Sequence, residues 1–253
     1  MSILWVLSCL VLLSGAYGFG IPVIRPLISG YERPVNGKNI VPGFGPWHKY
    51  IQTNPQSLFC GGSIIKKLWV VTAAHCGPTY VEVGELPLVF PEIDIKSLSY
   101  IIAFEHPEYN SETSTNDIAL IKLSSPLTIN EDVSLVSLAS VSDTVNKGDN
   151  CVTIKSGYTS DSKATSEDSQ EVTVPILTSD ECQKLWGTKS QRNTICTGVS
   201  SCMVDRGAGL LCERNGTKIL AGIASSSCST SKPAIFTDIS IYRDWIDQTI
   251  QDN

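Results

Sequence analysis

The chain has 253 residues, with 19 Lys and Arg against 25 Asp and Glu, a formal net charge of −6, 17% charged and 42% hydrophobic residues. That balance belongs to folded proteins and excludes disordered and collagen-like chains. With no cationic surplus and no local basic run, it also excludes a nucleic-acid partner.

The first element in chain order is a targeting segment. Leu4 to Leu13 form an apolar run too short to span a bilayer, and Ala16, Tyr17 and Gly18 supply the small residues that signal peptidase needs. Residues 1–18 are therefore expected to be a signal peptide, although no Lys or Arg precedes the run, and the mature chain is expected to start at Phe19. No later stretch is long enough to span a membrane, so the expected location is extracellular. Removing the leader takes Cys9 away and leaves eight of the nine cysteines. In an exported chain eight cysteines most simply make four disulfides, with free buried thiols or a zinc site as the competing readings. Zinc is disfavoured because there is no Cys-x-x-Cys pair and His48, His75 and His106 lie far apart in sequence. No metal or other cofactor is expected, and His48 and His106 read as surface or packing residues.

Beyond the leader the pattern is β nearly throughout. Leu68 to Val71, Ile118 to Ile121, Val172 to Val174 and Ile219 to Ile223 are short apolar runs bounded by Gly, Pro, Ser, Asn or Asp, the spacing of an all-β barrel or sandwich. The Ser-rich stretch Thr159 to Ser169 reads as an exposed loop. Asn215-Gly216 between apolar strands is a strong hairpin signal, and Asn215-Gly216-Thr217 is also a glycosylation acceptor; both readings stand together. At the C-terminus Tyr242, Trp245, Ile246 and Thr249 fall at i, i+3, i+4 and i+7 and predict a final helix, with Ser240 as its N-cap.

At His75 the sequence reaches a family. Phe59-Cys60-Gly61-Gly62-Ser63, Trp69-Val70-Val71-Thr72-Ala73-Ala74-His75-Cys76, Asn116-Asp117-Ile118-Ala119-Leu120 and Ser200-Ser201-Cys202-Met203 together closely resemble the chymotrypsin-like serine proteases. The resemblance covers essentially the whole chain. It implies an all-β fold of two packed six-stranded antiparallel barrels with a C-terminal helix, a cleft between the barrels, and His75 and Asp117 on the first. The expected organisation is a propeptide-like segment 19–33, not cleaved normally, followed by a protease domain 34–253 whose barrels span about 34–138 and about 139–253. The same resemblance implies disulfides Cys60 to Cys76, Cys151 to Cys212, Cys182 to Cys196 and Cys202 to Cys228.

The family's chemistry needs a serine hydroxyl, a histidine to take its proton and a buried carboxylate to orient the imidazole. His75 and Asp117 match the last two roles. Where the family reads Gly-Asp-Ser-Gly-Gly-Pro, this chain reads Val204-Asp205-Arg206-Gly207-Ala208-Gly209, which puts Arg206 at the nucleophile position. A guanidinium stays protonated and offers donors but no nucleophilic lone pair. A charged Arg206 is expected to seek Asp205, Asp117 or solvent. Val204 stands at the oxyanion-hole glycine, where a β-branched side chain is expected to crowd the approach.

Other elements depart from the family in the same direction. Ala224-Ser225-Ser226-Ser227-Cys228 stands where the family carries Ser-Trp-Gly and a longer approach to the cysteine, removing a substrate-pairing edge. Ala234 replaces a glycine of the primary specificity pocket, while Ser200 sits at the pocket base as in chymotrypsin-type members. Activation is altered too, because Glu32-Arg33-Pro34-Val35 offers a bond before proline, so Asp205 is expected to lack its usual amine partner. Phe19 and Ser137 stand where chymotrypsinogen-like chains carry a propeptide cysteine and its partner. His75 and Asp117 are then expected to persist as a vestigial hydrogen-bonded pair.

The resulting expectation is a secreted, catalytically inactive homologue that acts by binding a protein: an inhibitor, a protease, a zymogen or a matrix partner. Two readings stay open beside it. One is a hydrolase with residual or rearranged activity, the other a structural or storage protein of a secreted fluid or coat.

Overall fold

A computed structural model describes residues 37–39, 45–52, 59–77, 100–130, 133–155, 170–186, 193–198, 204–226 and 233–253. All of them belong to one compact unit, Pro34–Asn253. The expected leader, the segment 19–33, the Arg33-Pro34 bond, the loop Thr159 to Ser169, Ser200, Cys202 and Cys228 lie outside the described residues.

Thirteen strands are described. They are β1 (Gly37–Asn39), β2 (His48–Gln52), β3 (Phe59–Lys66), β4 (Trp69–Thr72), β5 (Tyr100–Glu105), β6 (Ala119–Leu123), β7 (Ser137–Leu138), β8 (Cys151–Lys155), β9 (Gln170–Val174), β10 (Thr194–Cys196), β11 (Gly209–Arg214), β12 (Thr217–Ser226) and β13 (Ile235–Asp238). Each apolar run picked out in the sequence lies largely in a strand, namely β4, β6, β9 and β12. β4 is buried along its whole length, which is why Trp69-Val70-Val71 is continuous rather than alternating.

These strands form two sheets. The first runs β2-β3-β4-β6-β5 and is antiparallel throughout; the second runs β1-β9-β8-β11-β12-β13-β10, with β7 pairing parallel to β12. The two-sheet, mostly antiparallel architecture is the expected one. Among the described residues the first sheet has five strands and the second eight, and the second includes β1 and β7, which come from the part of the chain expected to form the first barrel. The Asn215-Gly216 hairpin is present: Asn215 (φ 51°) and Gly216 (φ 75°) join β11 to β12, and positive φ at both positions matches the right-handed twist of the flanking strands.

Two α-helices are described. The first, α1 (Ser179–Trp186), departs from the expectation of a single helix at the C-terminus. It is opened by a reciprocal cap in which Thr178 Oγ1 accepts from Glu181 N at 3.2 Å and Glu181 Oε2 accepts from Thr178 N at 2.9 Å. The second, α2 (Arg243–Asp252), is the expected C-terminal helix, with Ile246 buried at its centre. Its entry differs from the expectation: a 3-10 turn, Ile239–Tyr242, precedes it, and Asp238 is the capping residue. Ser240 is the residue being capped, giving its N–H to Asp238 Oδ1 at 3.0 Å and its hydroxyl to the same oxygen at 2.7 Å.

The core has two parts. One packs Ile51, Ile64, Val70, Ile118 and Leu120 of the first half against Leu220 and Ile223 of β12 and Ile246 of α2. The other gathers Val172, Val174, Leu210, Ala221 and Phe236 within the second sheet. Three of the four expected disulfides are present, Cys60–Cys76, Cys151–Cys212 and Cys182–Cys196. No described helix is long and apolar enough to cross a membrane.

Candidate active site

His75 lies in a short 3-10 turn, Ala74–Cys76, that follows β4. The turn is held twice at its C-terminal end. Cys76 is tied to Cys60 on β3, and Gly77 closes it in the left-handed region (φ 51°), its N–H donating to Ala74 O at 3.0 Å. Asp117 comes from the residue pair just ahead of β6, after Asn116, whose own φ of 54° turns the chain inward. Asn116 is fixed in turn, its Oδ1 accepting from Tyr242 OH at 2.7 Å and its Nδ2 donating to Glu108 O at 2.9 Å.

These turns bring the two residues together as expected. His75 Nδ1 lies 2.7 Å from Asp117 Oδ2, and the His75 backbone N–H donates to Asp117 Oδ1 at 2.8 Å. Asp117 is fully buried. Ser225 Oγ donates to Asp117 Oδ2 at 2.5 Å, and Thr237 Oγ1 donates to the Asp117 carbonyl at 2.9 Å. Both carboxylate oxygens thus have donors, three in all from His75 and Ser225, while Thr237 holds the Asp117 backbone carbonyl. Ser225 is a site residue that sequence reasoning missed. The signal was present, since it stands in the segment that replaces Ser-Trp-Gly, but the changes around it masked the retained hydroxyl.

Among the described residues, the position expected for the nucleophile holds Arg206 and no hydroxyl. His75 Nε2 lies 3.9 Å from Cys76 Sγ. Cys60, His75 and Cys76 cluster closely enough to suggest a metal site, yet the two sulfurs are bonded to each other and have no thiolate to offer. Arg206 occupies a turn from Asp205 to Ala208, closed by Ala208 N donating to Asp205 O at 3.0 Å. The turn is locked to both sheets. Gly61 N of β3 donates to Arg206 O at 2.6 Å, and Gly207 N donates to Ala224 O of β12 at 2.8 Å. Gly207 has φ 76°, and a Cβ there would fall 2.4 Å from Gly61 O and 3.2 Å from Cys76 Sγ. Arg206 is therefore one residue away from contact with the disulfide beside His75.

Arg206 is partly exposed, and among the described residues no carboxylate lies within ion-pair distance of its guanidinium. Of the three destinations expected for it, Asp117 is excluded because that carboxylate is filled by His75 and Ser225. Val204 is 5% exposed and packs in the apolar cluster of the second sheet with Ala208, so its side chain is core. Ala234 is fully buried in the same cluster.

The remaining histidines are packing residues. His48 on β2 is buried, and desolvation, with a smaller contribution from Lys49, pushes its pKa down to about 3. His106 lies edge-on to Tyr242 with ring centroids 5.3 Å apart and against Trp245 at 5.1 Å, and burial lowers its pKa, opposed by Glu108.

A buried carboxylate orienting a partly exposed histidine, both held by strand ends of a two-sheet β fold, is the constellation of a serine peptidase scaffold. Comparison agrees. Residues 34–246 match the family described as Trypsin. The chain is similar to Trypsin-3 of Salmo salar, 34% identical over 206 residues, which span 77% of this chain and 84% of that protein. The chain belongs to the trypsin family of chymotrypsin-like serine proteases.

Proposed function

We propose that this chain is a secreted, catalytically inactive member of the family that acts by binding a protein partner. The observation that carries the reading is Arg206 at the nucleophile position, with no hydroxyl in its place. Acyl transfer requires an oxygen or sulfur nucleophile whose proton the imidazole removes, and a guanidinium supplies neither. In this reading the His75, Asp117 and Ser225 network holds the first sheet against β12, and Asn215, exposed at the tip of its hairpin, carries a glycan. The disulfides fit an oxidising, extracellular location.

A second reading has its own support. The intact His75 and Asp117 geometry and the likeness to Trypsin-3 favour a hydrolase with rearranged activity. Hydrolysis of chymotrypsin-type peptide esters by the mature protein, before and after trypsin treatment, separates the two, with Arg206→Ala purified in parallel. No turnover in either protein is the expected result. Turnover by the native chain that disappears in Arg206→Ala sinks the inactive reading.

A further inference from the structure

We propose that the open groove between the end of β3, the segment running into β7, and α2 is a binding site for a small amphipathic carboxylate, a medium-chain fatty acid. The groove shares no lining residue with the His75 site, and its use does not depend on whether the chain turns over peptides. It is held in shape by the fold. Val136 N donates to Ile64 O and Ala139 N to Leu220 O, each at 2.9 Å, which fixes the segment on β3 and β12, while buried Ile246 anchors α2. Of the apolar lining, Ile65 and Val136 are buried, Leu138 and Ile250 are partly buried, and Leu135 is 44% exposed. The volume is about 310 Å³. That lies at the lower end of small-molecule sites, about 300–1,000 Å³, and suits one acyl chain.

The charged lining selects the head group. Lys66, Arg243 and Asp247 all border the groove. Arg243 Nε donates to Asp247 Oδ2 at 2.8 Å, and Nη1 reaches the carbonyls of Leu138 and Ala139 at 3.5 and 3.3 Å. Its other amino nitrogen, Nη2, has no acceptor among the described residues. Lys66 is exposed and meets no carboxylate among them. Arg243 and Asp247 cancel, so Lys66 leaves the groove with one positive charge in a chain whose net charge is −6. A carboxylate answers that charge and accepts from both cations. Because Arg243 is already held by Asp247 and two carbonyls, little rotamer freedom is lost on binding. An alkyl chain behind the head group covers Leu135, Leu138 and Ile250. An alcohol leaves Lys66 without a counter-charge, and acetate leaves the apolar lining wet.

The test is calorimetric titration of the mature chain with decanoate, decanol and acetate, each kept below micelle-forming concentration. Two variants at exposed positions, Lys66→Gln and Leu135→Glu, are titrated in parallel after their thermal midpoints are matched to the native chain. The expected result is decanoate bound at least about tenfold tighter than decanol, with no heat from acetate. Lys66→Gln is expected to bring decanoate down to the affinity of decanol, and Leu135→Glu to abolish both by removing an apolar wall and adding a like charge. Equal affinity of the native chain for decanoate and decanol, no binding of either, or decanoate binding unchanged in either variant overturns the proposal. Sedimentation of the same samples reads the competing occupant. A native dimer that Leu135→Glu converts to monomer, with no decanoate heat, assigns the groove to a second copy of the chain and overturns the proposal as well.

Discussion

Ser225 Oγ donates to the same Asp117 oxygen, Oδ2, that pairs with His75 Nδ1. That oxygen therefore ties β12 of the second sheet to the turn after β4 of the first, and its value to the fold is independent of any reaction. Removing a buried acceptor strands its donors, each at about 1–3 kcal/mol. Asp117→Ala is expected to cost more than about 3 kcal/mol in urea unfolding, since it strands the His75 N–H, the imidazole and the Ser225 hydroxyl. Ser225→Ala is expected to cost only about 1 kcal/mol, because the carboxylate keeps two donors. Equal, small losses for both variants would show that the network is not structural.

What the sequence discloses here is set by the range of the interaction that carries it. His75, Asp117 and the Cys60–Cys76 bridge are legible because each sits inside a contiguous run of distinctive residues. The α2 face is legible because Ile246 and its neighbours keep a helical period. Ser225 is not, because its partner is far away in sequence and β12 slips register between Ala224 and Ser226, next to the replaced Trp and Gly. β1 and β7 span three and two residues, too short for any period, and their pairing with β9 and β12 is wholly non-local. At the 3-10 turn that leads into the helix two cap formers stand two residues apart, and Asp238 is the cap because its carboxylate accepts both the N–H and the hydroxyl of Ser240.

Gly207 is where the altered turn still needs what the family has. Its φ of 76° lies in the left-handed region, and an added Cβ would meet the backbone oxygen of Gly61 at 2.4 Å and Thr72 Oγ1 at 2.6 Å. Backbone cannot move aside as a flexible side chain does. Gly207→Ala is expected to destabilise by more than about 2 kcal/mol, from the conformational penalty and the clash together. Gly148 has φ 95° with open space around it, so Gly148→Ala bears only the conformational part. Similar midpoints for the two variants in urea would remove the argument from close approach.

His48 gives the protein an acid sensitivity well above the carboxylate range. Folded, its pKa is pushed down to about 3 by burial and Lys49; unfolded, it returns to about 6.5. Between those values the unfolded chain binds the extra proton, so stability is full above about pH 6.5 and falls as the pH drops. The slope approaches about 1.4 kcal/mol per pH unit from this group. His106 shifts in the same direction, and the lowered carboxylates Asp143, Asp149 and Glu181 act only below their unfolded range near pH 4. Urea midpoints from pH 7 to pH 4.5 are expected to decline steadily, with a flatter decline in His48→Gln. An identical slope in that variant would place the sensitivity elsewhere.

Restoring the nucleophile alone is expected not to restore catalysis. Arg206→Ser would place a hydroxyl on a turn whose backbone is fixed by Gly61 and Ala224, close to the disulfide beside His75. The oriented imidazole is already there. On the proposed reading the surround also differs from the family's: Val204, matched to the oxyanion-hole glycine, has its side chain in the core, Ala234, matched to the pocket glycine, is fully buried, and Ser226 is matched to the substrate-pairing Trp. Differential binding of the transition state by that surround supplies the residual rate when a nucleophile is lost, so its alteration limits what a nucleophile can regain. Ester hydrolysis by Arg206→Ser is expected to stay within about tenfold of Arg206→Ala, roughly 1.4 kcal/mol of barrier. Near-normal turnover in Arg206→Ser would show that the surround is intact and that Arg206 is the single lesion.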